Sequence, residues 1–339
     1  MTRISFCIPT LNRAEVLRSS LDSITRQIGE AVEIVIVDGG STDNTLAVIE
    51  EFRAKYSRIS TYPSNTRSGV DRDILQSVAS AKGEFCWLFS DDDILEDGAL
   101  ARVLTVLDRH PDIAGASLNY QGYDATMQYP IATVPAVAGG CMHSSHLFCD
   151  RDRCFSLLGI HLGFISCQVV RRSLWQEVAD KEDLAAQCNA WIIVYMIGRM
   201  LEKNPDWFYL HDICVRYRSG NDSFAARLGA SKRQQITHLS YAHTIGSLFA
   251  DDSQTYRNVF NVLINDRMAR SLAVLKSRGI SLAVQFGLFK MYASRYWTYP
   301  KFWLKVMPIF LVPNAVVGLV EKIYRQGRRR AAATRSRVS

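Results

Sequence analysis

The first 120 residues alternate between two apolar patterns, and this alternation constrains the fold more than any other feature of the chain. "ISFCIPT" (4–10) and "VEIVIVD" (32–38) are continuous apolar runs, as expected of strands buried on both faces. Segments 14–27, 46–55, 70–81 and 98–109 instead place apolar residues at helical spacing, with Ser, Thr and Asp available to cap the second of them. Further strands are expected near 59–62 and over 85–89. The reading is an α/β fold: a mostly parallel sheet with helices on both faces. In such sheets ligands sit beyond the carboxyl ends of the strands. Three polar clusters fall at those ends: Pro9-Thr10-Leu11-Asn12-Arg13, Asp38-Gly39-Gly40-Ser41-Thr42-Asp43 and Ser90-Asp91-Asp92-Asp93. The first and fourth strands are expected to be neighbours.

Later segments are less regular. Residues 121–140, rich in Gly, Pro, Ala and Tyr, read as an irregular loop; 163–175 reads as a strand running into a helix, and 206–224 as a strand followed by a polar loop. Helical spacing returns over 232–249, 253–277 and 282–296. From Lys301 to the end there are nine Lys or Arg and one acid, so the net charge of +7 resides in the tail and the body is near neutral. The segment "YWTYPKFWLKVMPIFLVPNAVVGLVEKIY" is aromatic and apolar but broken by Lys305, Pro308, Pro313 and Asn314. A spanning helix needs about 20 apolar residues. Helices lying in a membrane interface fit better, with Trp and Tyr at headgroup depth and basic groups facing an anionic surface. The alternative is a C-terminal helix packed on the body. The eight cysteines include no C-x-x-C pair, so a zinc site is not expected and reduced core thiols are. A strand begins within a few residues of Met1, so no signal peptide is expected.

Three adjacent carboxylates at a strand end repel each other unless something positive joins them. Hard cations such as Mg²⁺ or Mn²⁺ take carboxylate oxygens together with phosphate oxygens. The alternative is a solvated acidic turn capping the following helix. An aspartyl-phosphate phosphatase would need D-x-D-x-T or D-x-D-x-V, but Leu95 occupies the last position. A nucleotidyltransferase would need a glycine-rich loop after the first strand, and "PTLNRAEVL" has no glycine. A Walker loop is also absent.

"FCIPTLNRAEVLRSSLDSI", "EIVIVDGGSTDNT" and "GEFCWLFSDDDIL", in this order and spacing, resemble the nucleotide-diphospho-sugar domain of family 2 glycosyltransferases, of GT-A fold, over residues 3–120. A weaker likeness, through "SGVDRDILQSVASAKGEF", "WLFSDDD" and "VRYRSGNDSF", is to the abequosyltransferase-like branch that builds bacterial surface polysaccharide. The resemblance implies that Pro9, Thr10, Asn12 and Arg13 surround the nucleoside. It implies that Asp38 bonds the base with Ser41 or Asp43 beside it, and that Asp71 and Arg72 contact the nucleotide and sugar. Asp92 would be the main ligand of Mg²⁺ or Mn²⁺, and Asp91 would join the contacts to the donor nucleotide. Ser90 stands where the family's first motif acid is usual. For the general base the resemblance points to Asp183, then Glu182, as a pair opening a helix; acids merely complementing a helix dipole are the alternative. Asp180, His161 and His211 are further candidates. Arg216 and Arg218, in the loop with Asn221, would clamp the diphosphate.

The implied organisation is a GT-A catalytic domain over 1–225 (nucleotide-sugar half 1–120, acceptor half 121–225), a helical region over 226–298 and a membrane-associating tail over 299–339. The implied activity is inverting, metal-assisted transfer of a sugar from a nucleotide-diphosphate donor to a lipid-linked saccharide, by a peripheral protein on the cytoplasmic face of the inner membrane. The other readings are a degenerate membrane scaffold and a nucleic-acid-binding protein using the basic tail, although no nucleic-acid motif accompanies the charge.

Overall fold

The computed structural model describes residues 2–64, 67–131, 136–140, 142–221, 229, 232–251, 253–320 and 322–323. The arginine-rich end of the tail and part of the loop after Asn221 therefore lie outside the described residues. The chain divides into two compact units: residues 1–222 with 240–256, and residues 223–239 with 257–339.

The first unit opens as β1 (Ile4–Thr10), α1 (Ala14–Thr25), β2 (Val32–Asp38), α2 (Thr45–Lys55), β3 (Ile59–Pro63), α3 (Val70–Ala79), β4 (Phe85–Leu88), β5 (Ile94–Leu95) and α4 (Ala99–Arg109). β6 (Gly115–Tyr123), β7 (His146–Phe148), α5 (Arg151–Leu158), β8 (Gln168–Arg171), α6 (Arg172–Lys181), α7 (Ile192–Lys203) and β9 (Trp207–Arg218) follow. The strands form one sheet of order β3-β2-β1-β4-β8-β6-β9-β5, with β7 also on β9. β1, β2, β3 and β4 are parallel, with Thr10 opposite Asp38 and Cys7 opposite Leu88. β8 runs antiparallel to both β4 and β6, while β6 and β9 are parallel.

The apolar runs explain this layout. β1 and β4 are buried along their whole lengths and β2 at all but one position. Phe6 stacks on Trp87 at 4.9 Å, and the Trp87 indole donates to the Ser166 carbonyl at 2.9 Å. The thiols of Cys7 and Cys86 fill this core. Right-handed crossovers carry the chain from β1 to β2 to β3 with α1 and α2 on one face. The return from β3 past β2 and β1 to β4 then puts α3 on the other.

Two expectations need correction. Gln121 to Tyr123 are not loop but the end of β6, because β9 is long enough to pair with them as far as Arg218. Glu182 and Asp183 do not open a helix: Glu182 follows the last turn of α6 in an extended conformation, and only a short 3₁₀ turn, Ala185–Gln187, comes after. The helical stretch after residue 230 is shared between the two units. Tyr241–Leu248 packs on α7, with Trp191 against Tyr241 at 4.7 Å, and belongs to the first unit. The second unit contains Ala269–Ser277, Leu282–Tyr296 and Met307–Leu311, with π-helical turns at Ile264–Met268 and Phe302–Val306.

Gly115 opens β6 where the sheet admits no side chain. A Cβ there would lie 2.4 Å from the Val169 carbonyl and 2.5 Å from the Trp207 ring. Gly115→Ala should therefore lower unfolding stability by about 1–3 kcal/mol, read from urea denaturation, as overpacking does in other cores.

Candidate functional site

The parallel strands end at a common edge, and the loops leaving them are interlaced by hydrogen bonds. Thr10 and Asp38 are paired residues, so the loops after β1 and β2 start side by side. Asn12 takes a left-handed conformation (φ 55°), which its short polar side chain tolerates, and its amide oxygen accepts from the Thr42 N–H at 2.7 Å. In return the Asn12 N–H donates to Ser41 Oγ and the Arg13 N–H to Thr45 Oγ1, both at 2.8 Å. Asp43 accepts from the Thr45 N–H at 2.9 Å, at the first residue of α2, while the N-cap residue Asn44 makes no side-chain bond.

Asp38 ends β2, is buried, and accepts from the Ser41 N–H (3.1 Å) and hydroxyl. A second acid, Asp73, reaches the same place from the first turn of α3: its Oδ2 lies 3.0 Å from where a Cβ on Gly39 would stand. Burial raises its pKa and Asp38 reinforces the shift, against a bond from Ser68. The spacing of Asp71 and Asp73 gives no signal of this, since i and i+2 lie on different faces of a helix, yet both are buried.

The three carboxylates after β4 have three different environments. Asp93 is fully buried; it accepts from Ser166 Oγ at 2.6 Å and the Arg218 N–H at 3.0 Å, and its carbonyl accepts from the Ser20 hydroxyl. Asp92 accepts from Ser90 Oγ at 2.5 Å and from the Asn221 amide at 2.8 Å. Asp91 faces Arg13, whose Nε lies 3.9 Å from Oδ1. Burial and the neighbouring Asp92 push the Asp91 pKa up to about 7, against the pull of Arg13. The Arg13 guanidinium also donates to Asn221 Oδ1 at 2.6 Å. One carboxamide thus joins Arg13 to Asp92. Arg218 donates from Nε to the Asp92 carbonyl at 2.9 Å.

The arrangement therefore brings together Asn12, Arg13, Asp38, Ser41, Asp91, Asp92 and Arg218. Pro9 and Thr10 are the buried last residues of β1 beneath them. Arg216 is engaged elsewhere, donating from Nε to Glu96 at 2.6 Å in a two-pronged pair. Asp71 is buried and its Oδ2 accepts from the Ala190 N–H at 2.6 Å, just before α7, while Arg72 is exposed. Glu182 accepts from Arg199 Nε at 2.6 Å and from the Tyr195 hydroxyl. Asp183 is exposed, with Oδ1 accepting from the Ala185 N–H at 3.0 Å. His161 is buried with Nε2 at 3.0 Å from the Leu118 carbonyl, a core contact. Ser166 went unremarked in the sequence because its role depends on β8 pairing antiparallel to β4.

No group of three or more His, Cys, Asp or Glu side chains suited to a metal occurs among the described residues. The hard oxygens of Asp91 and Asp92 do suit a hard divalent cation. With only two carboxylates, water or a bound phosphate would have to supply the remaining ligands.

Asp93→Ala should cost about 1–3 kcal/mol in urea denaturation, because it strands the buried Ser166 hydroxyl and the part-buried Arg218 N–H. Asp92→Ala should cost less, its partners Ser90 and Asn221 being half-exposed. Asp71 supplies a pH signature. Burial raises its pKa from 3.8 to about 6 against the bonds from Ala190 and Ile192. A carboxyl raised on folding favours the native state while protonated, so its contribution is full below pH 3.8 and lost as pH rises through about 6. Stability relative to Asp71→Asn should fall by up to ~3 kcal/mol between pH 4 and pH 7.

A family model described as Glycosyl transferase family 2 matches residues 5–178. The chain is 30% identical over 274 residues to abequosyltransferase RfbV of Salmonella typhimurium, covering 78% of this chain and 80% of that protein. It is also 30% identical over 244 residues to the Campylobacter jejuni protein named GalNAc(5)-diNAcBac-PP-undecaprenol beta-1,3-glucosyltransferase, covering 71% and 72%. The solved structure of S. aureus TarS 1-349 with UDP matches with TM-score 0.61 at 16% identity, over 96% and 92% of the two chains. Mannosyltransferase PcManGT from Pyrobaculum calidifontis, with GDP-Man and Mn²⁺, matches with TM-score 0.55 at 16% identity, over 94% and 88%. These two likenesses concern the fold, which is GT-A. With the family model covering half its length and a 30% identical relative covering most of it, the chain belongs to glycosyltransferase family 2 and is a glycosyltransferase.

Proposed function

We propose that the chain transfers a sugar, with inversion, from a nucleotide-diphosphate donor to a lipid-linked saccharide during assembly of bacterial surface polysaccharide. The observation carrying this reading is the meeting of Asp38 and Ser41 with Arg13, Asp91 and Asp92 at the carboxyl ends of β2, β1 and β4. Asp38 and Ser41 offer acceptors for a base or ribose. Arg13 and Arg218 offer fixed cationic donors for a diphosphate. Asp92, with Asp91 beside it, would hold Mg²⁺ or Mn²⁺. When bound, that cation neutralises charge on the departing nucleotide. Arg72, exposed on α3, is the outer contact for the donor, while Asp71 positions the segment leading into α7.

The acceptor hydroxyl must lose a proton as the sugar is transferred. Of the two acids first considered, Asp183 is the freer base. Glu182 already holds Arg199 and Tyr195 and is better placed to fix the segment carrying Asp183. The relatives support this class of reaction: one is named for transfer of abequose, and another for glucosyl transfer to an undecaprenol-diphosphate-linked saccharide. A lipid-linked acceptor places the enzyme at a membrane, in this reading as a peripheral protein on its cytoplasmic face.

Calorimetric titration of UDP, CDP, GDP and dTDP into the full chain, with and without Mn²⁺, tests the donor site. One nucleotide should bind, and its affinity should fall at least tenfold without metal and in Asp92→Ala. A folded sample that binds none of the four would overturn the proposal.

A further inference from the structure

The second unit leaves large apolar side chains in solvent where a helix ordinarily hides them. In the helix Asn314–Val320 and its continuation, Val316, Leu319, Val320 and Ile323 are 48, 59, 60 and 60% exposed, while Val317 is 8% exposed. The exposed four fall at i, i+3, i+4 and i+7, the spacing of one helix face. That spacing normally faces a core. Leu304 and Leu311, one heptad apart, are 76 and 77% exposed, and Trp297 is 64% exposed. Scattered exposed residues need no explanation, but a periodic face does.

The lengths decide what covers it. Phe302–Leu311 and Asn314–Val320 are bent 110° from each other, and among the described residues no single helix is long and apolar enough to cross a membrane. At 1.5 Å per residue the two reach about 15 and 10 Å, against about 30 Å of hydrocarbon. They fit the boundary of one leaflet. The surrounding charge indicates which surface. From residue 278 to residue 323 there are six Lys or Arg against one acid, and six more arginines follow Ile323. Lys301, Lys305 and Lys322 are exposed among the apolar positions. A second copy of this chain docked face to face would oppose like charges, whereas an anionic bilayer neutralises them.

We infer that Leu304, Leu311, Val316, Leu319, Val320 and Ile323 form an insertion face that enters one leaflet of an anionic membrane, with lysines at headgroup level. This deepens the membrane placement proposed above, and it is independent of the donor site.

The test is co-sedimentation of the full chain with vesicles of phosphatidylglycerol and phosphatidylethanolamine, compared with phosphatidylcholine alone. The wild type should bind the anionic vesicles and not the neutral ones. Leu319→Glu/Val320→Glu and, separately, Leu304→Glu/Leu311→Glu should weaken binding at least tenfold, with unchanged circular dichroism and nucleotide titration. Wild-type protein that stays in solution, or double variants that bind as wild type through the arginine tail alone, would overturn the inference. So would a wild-type dimer that the Glu variants dissociate without any vesicle binding. Because nucleotide binding is read separately, a failed donor site and a failed insertion face give different results.

Discussion

The buried carboxylate of Asp93 accepts from the Ser166 hydroxyl and the Arg218 N–H, and the carbonyl of the same residue accepts from Ser20. One residue thereby ties α1, the entry to β8 and the end of β9 to the turn after β4. Ser166 in turn accepts from the Ser90 N–H at 3.0 Å, fixing the start of the same turn. Asp91 and Asp92 are the neighbours of a residue anchored to three separate segments. A carboxylate this deep is held against a desolvation cost that raises its pKa well above the usual carboxylate range. Its bonds to neighbouring segments hold the acidic turn in place.

The parallel half of the fold was legible because its strands are buried on both faces and so read as unbroken apolar runs. "ISFCIPT" and "VEIVIVD" became β1 and β2 with the expected bounds, and β1 does neighbour β4. The second half was harder to read. β5 has two residues and β7 three, too few for a periodic pattern, and both owe their pairing to β9. α5 and α7 went unnoticed. α7 does carry a polar face, Tyr195, Arg199, Glu202 and Lys203, but it opens with the unbroken apolar run 191–197, which reads equally as a buried strand.

Of the site, the residues contributed by loops at parallel strand ends could be found from order along the chain. Those contributed by return strands could not. Arg216 and Arg218 look alike in sequence, two residues apart in "VRYR". Side chains at i and i+2 leave a strand on the same face. What separates them is β5, which places Ile94 opposite Arg216 and so brings Glu96 within reach of that arginine alone. Composition carries no trace of such a pairing. The two acids Glu182 and Asp183 differ for a similar reason: Arg199, one helix away in space, selects Glu182.

The carboxamide of Asn221 stands between Arg13 and Asp92, one end accepting and the other donating. A neutral group thus satisfies a cation and an anion at once, and the three side chains form a hydrogen-bonded circuit from Arg13 through Asn221 to Asp92. A ligand that engages Arg13 and Asp92 exchanges partners in this circuit instead of adding bonds to bare charges. The heat released on binding will understate the number of contacts formed, because bonds to Asn221 are broken as the new ones are made. Part of the driving force is then the freedom returned to the Asn221 side chain, an entropic contribution that a count of contacts in the bound state would miss.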